Sequence, residues 1–563
     1  EASGTVVTGN GIQIVEKDGN ASGVTVKSGG RQQVFGQAEG TVAAKGGTIE
    51  LENGAKAVST RVNGGDIYVR KGAEAQNTSI KYGTENVEGI SRNAAVNAFG
   101  FQNVLSGGET FGTRINFWGT QNVQAGGTAS AGLINFGGVQ NVYGIAADTV
   151  VSGGRQNVRN GGMAVATGVN GGILTVYDGG TAKDAKLKNG WLILNSGGAL
   201  QGKTTASNGI ITIAGDNSIP HLELDKTLVN VNYRAKHTTL QIGRLDGSGT
   251  FNMTSNLSGG TADTINVNGG DGNFGLIIHD YSMGVAPSQY KIIDEALNAH
   301  DNFYLVGGGV DVGAFRYKLE QENNDWYLVR TGQLSDTSYV AKNTHSSLSS
   351  LFYSHLNPVF NRLRVGHKAA EHDSGLWVKG LGRKIKFHFK DKTHSSLEIY
   401  GSAIGFDHEV WHNESSHVKV GVYTGYTDTR QKYDRAGRGD ADTHSLGMYS
   451  SLNTADNWFV DVVGTYFWHD QKIRSYTPSG ADVDGKYKTH SWQASVFAGR
   501  RINLRDNWFV EPSAGFSYMH INGADYRTNF NTLVEMSNAG YFSGHAGLVG
   551  GKKFAVGEHS SLD

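Results

Sequence analysis

The sequence predicts an all-β chain in three parts: a right-handed parallel β-helix, one α-helix, and a β-barrel of the outer-membrane kind. Three observations predict it. A repeat with a period near 18 residues runs through the first third, apolar residues recur at three- and four-residue spacing around Leu356, and strict two-residue alternation fills the last third. Composition agrees. Glycine is 81 of 563 residues and proline only 5. Excess glycine without proline excludes collagen, disfavours long helices and suits a chain that turns often. A net charge of −1 carries no basic signature of a nucleic-acid partner. The lack of cysteine excludes a disulfide scaffold, thiolate metal sites and a cysteine nucleophile. No apolar run approaches the roughly 20 residues of a spanning helix. The chain opens at Glu1 without an initiator Met or signal peptide, as a processed or excerpted segment does.

The repeat is carried by Asn-Val pairs at Asn86, Asn103, Asn122, Asn141 and Asn157, most of them preceded by Gln and followed by a glycine pair. Glycine pairs extend the rhythm from Gly29-Gly30 to Gly179-Gly180. Short β-prone runs between glycine turns at this period fit one coil of a parallel solenoid; leucine is too scarce for a leucine-rich repeat. Val87, Val104, Val123, Val142 and Val158 are constant and are expected inside. Their neighbours, the constant Asn and the variable Glu88, Leu105, Gln124, Tyr143 and Arg159, are expected outside, because strand neighbours point to opposite faces. Residues 1 to about 215 give about eleven coils, a rod of about 50 Å.

From about Ile219 the repeat fades and larger apolar residues enter. A solenoid end must be covered to hide its unpaired strand edges, so 219–335 is expected to cap the rod. Leu348, Leu351, Phe352, Leu356, Val359, Phe360 and Leu363 then mark one helix of about 30 residues in 336–374, kinked by Pro358. After Gly375 one strand face carries Trp458, Val460, Val462, Tyr466 and Trp468, and another Trp508, Val510, Phe516 and Tyr518. The aromatics stand ten residues apart, which at a tilt of about 45° spans about 24 Å, the height of an outer-membrane barrel's apolar band between its aromatic girdles. Trp458, Trp468, Trp508 and Tyr518 are therefore the candidate girdle. About eight strands fit in 375–563, with no final apolar-aromatic strand, so the sequence is expected to stop short of barrel closure.

Solenoid, cap, helix and barrel in this order resemble the type V autotransporters of Gram-negative bacteria, and the Gln-Asn-Val…Gly-Gly repeat most resembles their AIDA-type group of self-associating adhesins. Gly249-Thr250-Phe251 through Asp263, Gly313 and Tyr317 to Trp326-Tyr327-Leu328 is similar to the family's autochaperone region, and Leu376-Trp377-Val378-Lys379-Gly380 to the entry of its first barrel strand. The resemblance implies a twelve-stranded translocator of which 375–563 holds about eight strands. It also implies a 1–218 passenger displayed at the cell surface, a barrel in the outer membrane, and a helix (Leu348, Phe352, Leu356, Phe360, Leu363) that plugs the pore after secretion. Implied partners are identical passengers on neighbouring cells, a host surface or matrix with an unidentified receptor, outer-membrane lipid and the barrel assembly machinery, with no nucleic acid. Members that cut themselves inside the barrel carry Asn-Asn in this helix; Asn357-Pro358 departs from that pattern, which leaves the passenger attached or cut upstream.

No cofactor, metal or catalytic residue is expected. Gly270-Asp271-Gly272-Asn273-Phe274-Gly275 matches a dinucleotide fingerprint in letters, but no helix follows it. Its overlap with a calcium-binding nonapeptide occurs once, with Asn for the key Asp. His372-Asp373-Ser374-Gly375 has protease letters in a row, whereas a triad is assembled from distant positions. The enzyme alternative, a polysaccharide lyase or hydrolase on the solenoid, needs clustered carboxylates, yet Glu109, Asp148, Arg114, Arg155 and Arg159 scatter over different coil positions. The binding candidate is the outward ladder Asn86, Asn103, Asn122, Asn141 and Asn157, whose stacked amides suit the same ladder on another cell; the alternative is that these amides serve turns or pair with each other. Ser28, Ser106, Ser152 and Ser196 precede glycines at turns and, since AIDA-type passengers are commonly O-heptosylated, are candidate acceptors. The function read from the sequence is a self-secreted surface adhesin for autoaggregation, biofilm formation or host attachment, and not an enzyme.

Overall fold

A computed structural model describes residues 1–231, 237–297, 299–366, 374–388, 394–434, 437–530, 532–552, 554–555 and 561–562. The chain forms two compact units, one of residues 1–280, 286–310 and 318–330, the other of 281–285, 311–317 and 331–563.

The first unit is a parallel β-solenoid. Each coil contributes three short strands, such as Ile90–Arg92, Ala95–Val96 and Phe101–Val104. Successive coils stack in register, so that Asn86 pairs with Asn103, then Asn122, Asn141 and Asn157. One wall holds twelve stacked strands from Ala2–Ser3 to Ala199–Gln201, which mark eleven steps from coil to coil, some of 16 residues and some of 19. The constant valines from Val87 to Val158 are fully buried.

The inside is not wholly apolar. Gln102, Gln121, Gln140 and Gln156 are also fully buried, two residues before each valine and so on the same face of the pleat. Their amides form one chain: Gln156 donates to Gln140 (2.7 Å), Gln140 to Gln121 (2.6 Å), Gln121 to Gln102 (2.7 Å) and Gln102 to Glu85 (2.6 Å). Burial inside the rod satisfies these polar groups only because every coil brings the next amide to hydrogen-bonding distance. The chain ends on Glu85, where Ile67 stands in the preceding coil. Burial raises the Glu85 carboxyl above its usual range, against the donors Gln102, Thr78 and Ser91.

Parallel stacking does not stop near residue 218. It continues through Lys203–Ser207, His221–Asn230, Leu245–Asn256, Gly270–Asp280 and Asn302–Leu305. These strands reach 12 residues, and larger side chains fill the wider coils. Phe251, Phe274, Phe303 and Trp326 form an aromatic column with ring centroids 5.7–5.8 Å apart. Gln289–Glu295 then pairs antiparallel with the strand Asp325–Leu334, so parallel stacking runs well into 219–335 before the pairing changes.

In the second unit Ser335 caps α1 (Asp336–Ser347), a 3-10 turn covers Leu348–Ser350, and α2 runs Leu351–Gly366. The 3-10 turn separates the two helices, and Pro358 lies inside α2. Ser347 and Ser349 hydroxyls donate back to Thr344 and Ser346 carbonyls (2.7 and 2.8 Å), competing with the helical ladder there. Eight long antiparallel strands follow, Gly375–His388, His394–Asn413, Ser416–Tyr433, Gly437–Thr454, Trp458–Tyr476, Asp482–Arg500, Trp508–Ile521 and Ala539–Lys552, each paired with the next. Among the described residues no ladder joins the first of these to the last.

Because its folded pKa is raised, Glu85 favours the folded rod below the carboxylate range and opposes it as pH rises through the folded value. Glu85→Gln completes the amide chain and is expected to stabilise the solenoid at pH 7 by on the order of 1–3 kcal/mol and to flatten its pH dependence, measured as the thermal midpoint from pH 4 to 8.

Candidate functional site

Two sets of residues are built for interaction: an outward face of the solenoid and the inner face of the barrel wall. On the solenoid, Asn86, Asn103, Asn122, Asn141 and Asn157 are half-buried, and their amides pair along the stack. Asn103 donates to Asn86 (2.9 Å), Asn122 to Asn103 (3.0 Å), Asn141 to Asn122 (2.9 Å) and Asn157 to Asn141 (3.0 Å). Each interior rung thus uses one N–H and one lone pair internally and keeps one of each, since a carboxamide carries two donors and two acceptor sites. A second ladder stands beside it: Asn135 donates to Asn116 (2.7 Å) and Asn116 to Asn97 (2.9 Å), each at the start of the turn that leads to the first ladder. Its signal is the threefold Asn-x-x-Gly of 97–100, 116–119 and 135–138. Ser28, Ser106 and Ser196 are exposed at turns, and Ser152 is exposed at the end of the strand Val150–Ser152.

The residues an enzyme would need are not brought together. Register sets Glu109 beside Ile90 and Thr128, Arg114 beside Ala95 and Leu133, and Arg155 beside Val139 and Ile173. Gly270–Gly275 lies in an 11-residue strand, not in a strand–turn–helix phosphate cradle. His372 and Asp373 lie outside the described residues. Carboxylates do gather in the wide coils. Asp246 binds the Arg244 guanidinium (2.7 and 2.8 Å) and His221 (2.8 Å), while Glu295 takes the Trp326 indole N–H (2.9 Å) and the Asp301 backbone N–H (2.9 Å). Asp301 is 5% exposed and neither carboxylate oxygen has a hydrogen-bond partner. Burial, then the charges of Glu295, Asp246 and Asp271, push it up to about 7. A carboxyl so enclosed cannot reach a polysaccharide, and among the described residues no group of three or more ligands is arranged for a metal.

In the second unit the helix packs on the inner face of the wall. Leu348, Phe352, Leu356 and Leu363 join one core with Trp377, Leu397, Tyr423, Val463, Phe467 and Met519, and Phe360 meets Phe497 edge-on at 4.3 Å. Polar groups fix the helix along its length. Arg362 makes a two-pronged pair with Asp407 (2.8 and 2.9 Å), Tyr449 donates to the same carboxylate (2.7 Å), and Trp377 donates to Tyr449 (2.8 Å). Thr344 bonds Tyr433 (2.8 Å) and Thr337 bonds Ser475 (3.0 Å). A Cβ on Gly439 would collide with Thr344, so glycine is what lets the helix lie this close. The Arg362–Asp407 pair could not be found from sequence, because 45 residues separate its members. The opposite strand face is apolar and open: Trp458, Trp468, Trp508 and Tyr518 are 51%, 48%, 51% and 37% exposed. They are not packed into a core.

Comparison with known families and proteins agrees with both halves. The family model described as "Autotransporter beta-domain" matches residues 376–562, and that described as "Pertactin" matches 219–330. The chain is similar to the BrkA autotransporter of Bordetella pertussis, 26% identical over 63% of this chain and 36% of that protein. It is likewise similar to the autotransporter CRAC of Citrobacter rodentium, 25% identical over 56% and 22%. The autotransporter adhesin/invasin TibA of Escherichia coli O78:H11 is 26% identical over 59% and 40%. The matches span between about a fifth and two fifths of the length of these relatives.

Two outcomes follow. Arg362→Ala strands a buried Asp407 charge and is expected to cost the helix–wall packing about 3–5 kcal/mol and to raise single-channel conductance in planar bilayers; Arg362→Ala with Asp407→Leu recovers the melting temperature. Asp301, raised when folded, favours folding at low pH and opposes it as pH passes about 7. Asp301→Asn should therefore remove on the order of 2 kcal/mol from the loss of solenoid stability between pH 5 and 8, read by chemical denaturation.

Proposed function

The chain belongs to the autotransporters, a passenger solenoid at the cell surface carried by an outer-membrane translocator, and we propose that this passenger is a self-associating adhesin. The observation that carries the reading is the Asn86–Asn157 amide ladder. It is uncharged, repeats once per coil, and keeps one donor and one acceptor per interior rung facing outward. An identical ladder on a neighbouring cell offers the complementary donors and acceptors at the same interval, so contact strength grows with the number of rungs engaged. Autoaggregation, biofilm growth and attachment to a host surface or matrix follow from such a surface, and the name of the TibA relative, an adhesin/invasin, supports the adhesive class.

In this reading the 348–363 helix closes the translocator after secretion, and Trp458, Trp468, Trp508 and Tyr518 sit at the lipid interface, where a ring's polar edge meets headgroups. Ser28, Ser106, Ser152 and Ser196 are the proposed O-glycosylation acceptors. The solenoid from Leu245 to Trp326, with its aromatic column, is the part proposed to fold first and template the rest. Catalysis is not part of the reading: where outward carboxylates of the solenoid come together, Glu50 and Glu88, they are tied up by Arg31 and Arg70.

The test replaces alternate rungs, Asn103→Lys and Asn141→Lys, at a column where Glu50 and Tyr68 already stand in other coils. Loss of cell clumping with surface display and trypsin resistance retained is expected. Settling at the wild-type rate would remove the ladder as the self-association surface.

A further inference from the structure

One corner of the solenoid carries a feature that neither secretion nor the amide ladder uses. Register aligns Gly29, Gly46, Gly64, Tyr82, Phe99, Trp118, Gly137, Gly153 and Gly171 at a single turn position. All take a left-handed backbone, with φ of 55°, 55° and 59° at Tyr82, Phe99 and Trp118. Glycine meets that conformation freely, whereas a bulky side chain is strained by it. Three successive coils therefore hold an aromatic where six others use glycine and two use asparagine, Asn189 and Asn208. Strain kept at a surface position points to use rather than to stability.

The rings form a continuous exposed column. Tyr82 stacks on Phe99 (centroids 5.8 Å), Phe99 lies 4.8 Å from Trp118, Trp118 stacks on Phe117 (4.6 Å), and Phe117 on Phe136 (6.0 Å, planes within 4°). Their exposures run from 47% to 72%, highest at Phe136. Phe136 turns one face to Phe117 and the other toward the next coil, where Ser152 and Gly153 leave the stacking position open. Glycine returns at Gly137 for a second reason, because a Cβ there would collide with the Phe117 ring. Beside the column runs the Asn97–Asn116–Asn135 ladder, and no charged residue stands in the turns 97–100, 116–119 or 135–138.

The geometry points to a binding site for an uncharged glycan chain, lying along the solenoid axis with sugar rings against Tyr82, Phe99, Trp118 and Phe136 and hydroxyls on the Asn97, Asn116 and Asn135 amides. Aromatic surface takes the apolar faces of sugar rings, and carboxamides supply both donors and acceptors for hydroxyls. Charge meets the column at Lys81, whose Nζ lies 5.1 Å from the Tyr82 ring centroid at one end; the uncharged turns beyond it select a neutral polymer over an anionic one, and a repeat of one rung per coil selects a polymer over a single sugar. A second copy of the chain is disfavoured by size. Five half-exposed rings offer on the order of 500 Å², short of the roughly 800 Å² per partner of a stable protein interface. The site gives the adhesin a ligand class and rests on that reading, but its test is independent of cell clumping.

The test is affinity electrophoresis of the full chain in detergent through gels containing dextran, mannan or a soluble β-glucan, with alginate as the anionic control. Retardation by at least one neutral polymer and none by alginate is expected. The triple variant Tyr82→Gly, Phe99→Gly, Trp118→Gly restores the residue other coils use, so it should fold with an unlowered melting temperature and bind at least tenfold more weakly. Free migration in all three neutral gels, retardation by alginate alone, or equal retardation of the variant would each overturn the site. So would a variant that loses only concentration-dependent self-association in sedimentation, which would make the column a contact between copies. Cells that display the variant and still clump would leave the adhesin reading standing whatever the gels show.

Discussion

In-register parallel pairing of each coil on the next is the constraint from which the rest of the first unit follows. A rise of about 4.8 Å per coil places every side chain above its counterpart, so a column that repeats one residue must let it touch a copy of itself. Valine does so by packing, and the Val87–Val158 column is fully buried. Glutamine and asparagine do so by carboxamide pairing at 2.6–3.0 Å, with the donor of one coil meeting the acceptor of the previous one. A charged side chain cannot repeat in this way, which is why Glu85 appears once, at the end of its column. Aromatics can, and the column of Phe251, Phe274 and Phe303 does inside the wide coils what Tyr82, Phe99 and Trp118 do outside the narrow ones.

The second unit solves the opposite problem. Its wall turns an apolar face outward, where lipid replaces a protein core, so the inner face must find its partner within the chain. The helix is that partner. It brings leucine and phenylalanine to Trp377, Phe467 and Met519, and it brings Arg362 to the buried Asp407 carboxylate, which also accepts from Tyr449. The helix is thus held by packing and by a buried ion pair that strongly resists losing one member. A helix held in this way stays in place unless its polar contacts are broken together.

Much of this was legible in the residues. The period-two alternation that puts Trp458 and Trp468 on one face and Phe459 and Asp461 on the other is a local property of the strand, and the exposed and buried sets follow it. The helix register was equally local, and Leu348, Phe352, Leu356 and Leu363 are buried as the spacing demands. The inward glutamines were legible and overlooked: Gln stands two residues before each constant valine, and the pleat puts both on one face. The 3-10 turn at Leu348–Ser350 was not legible, although the serines beside it bond back to the preceding turn.

What the sequence determined by itself is periodic: the coil, the inward valine, the helical stripe and the two-faced strand, since each depends on residues within a few positions of one another. What only the tertiary structure decided is contact between distant residues. The pairing of Arg362 with Asp407 is of this kind, as are the enclosure of Asp301 among other carboxylates and the persistence of parallel stacking to Leu305. So is the gathering of Tyr82, Phe99, Trp118, Phe117 and Phe136 into one column, because coils of 16 to 19 residues must first be set in register before it is known which residues share an edge. Local geometry fixes which way a side chain points; only the closed stack fixes what it meets.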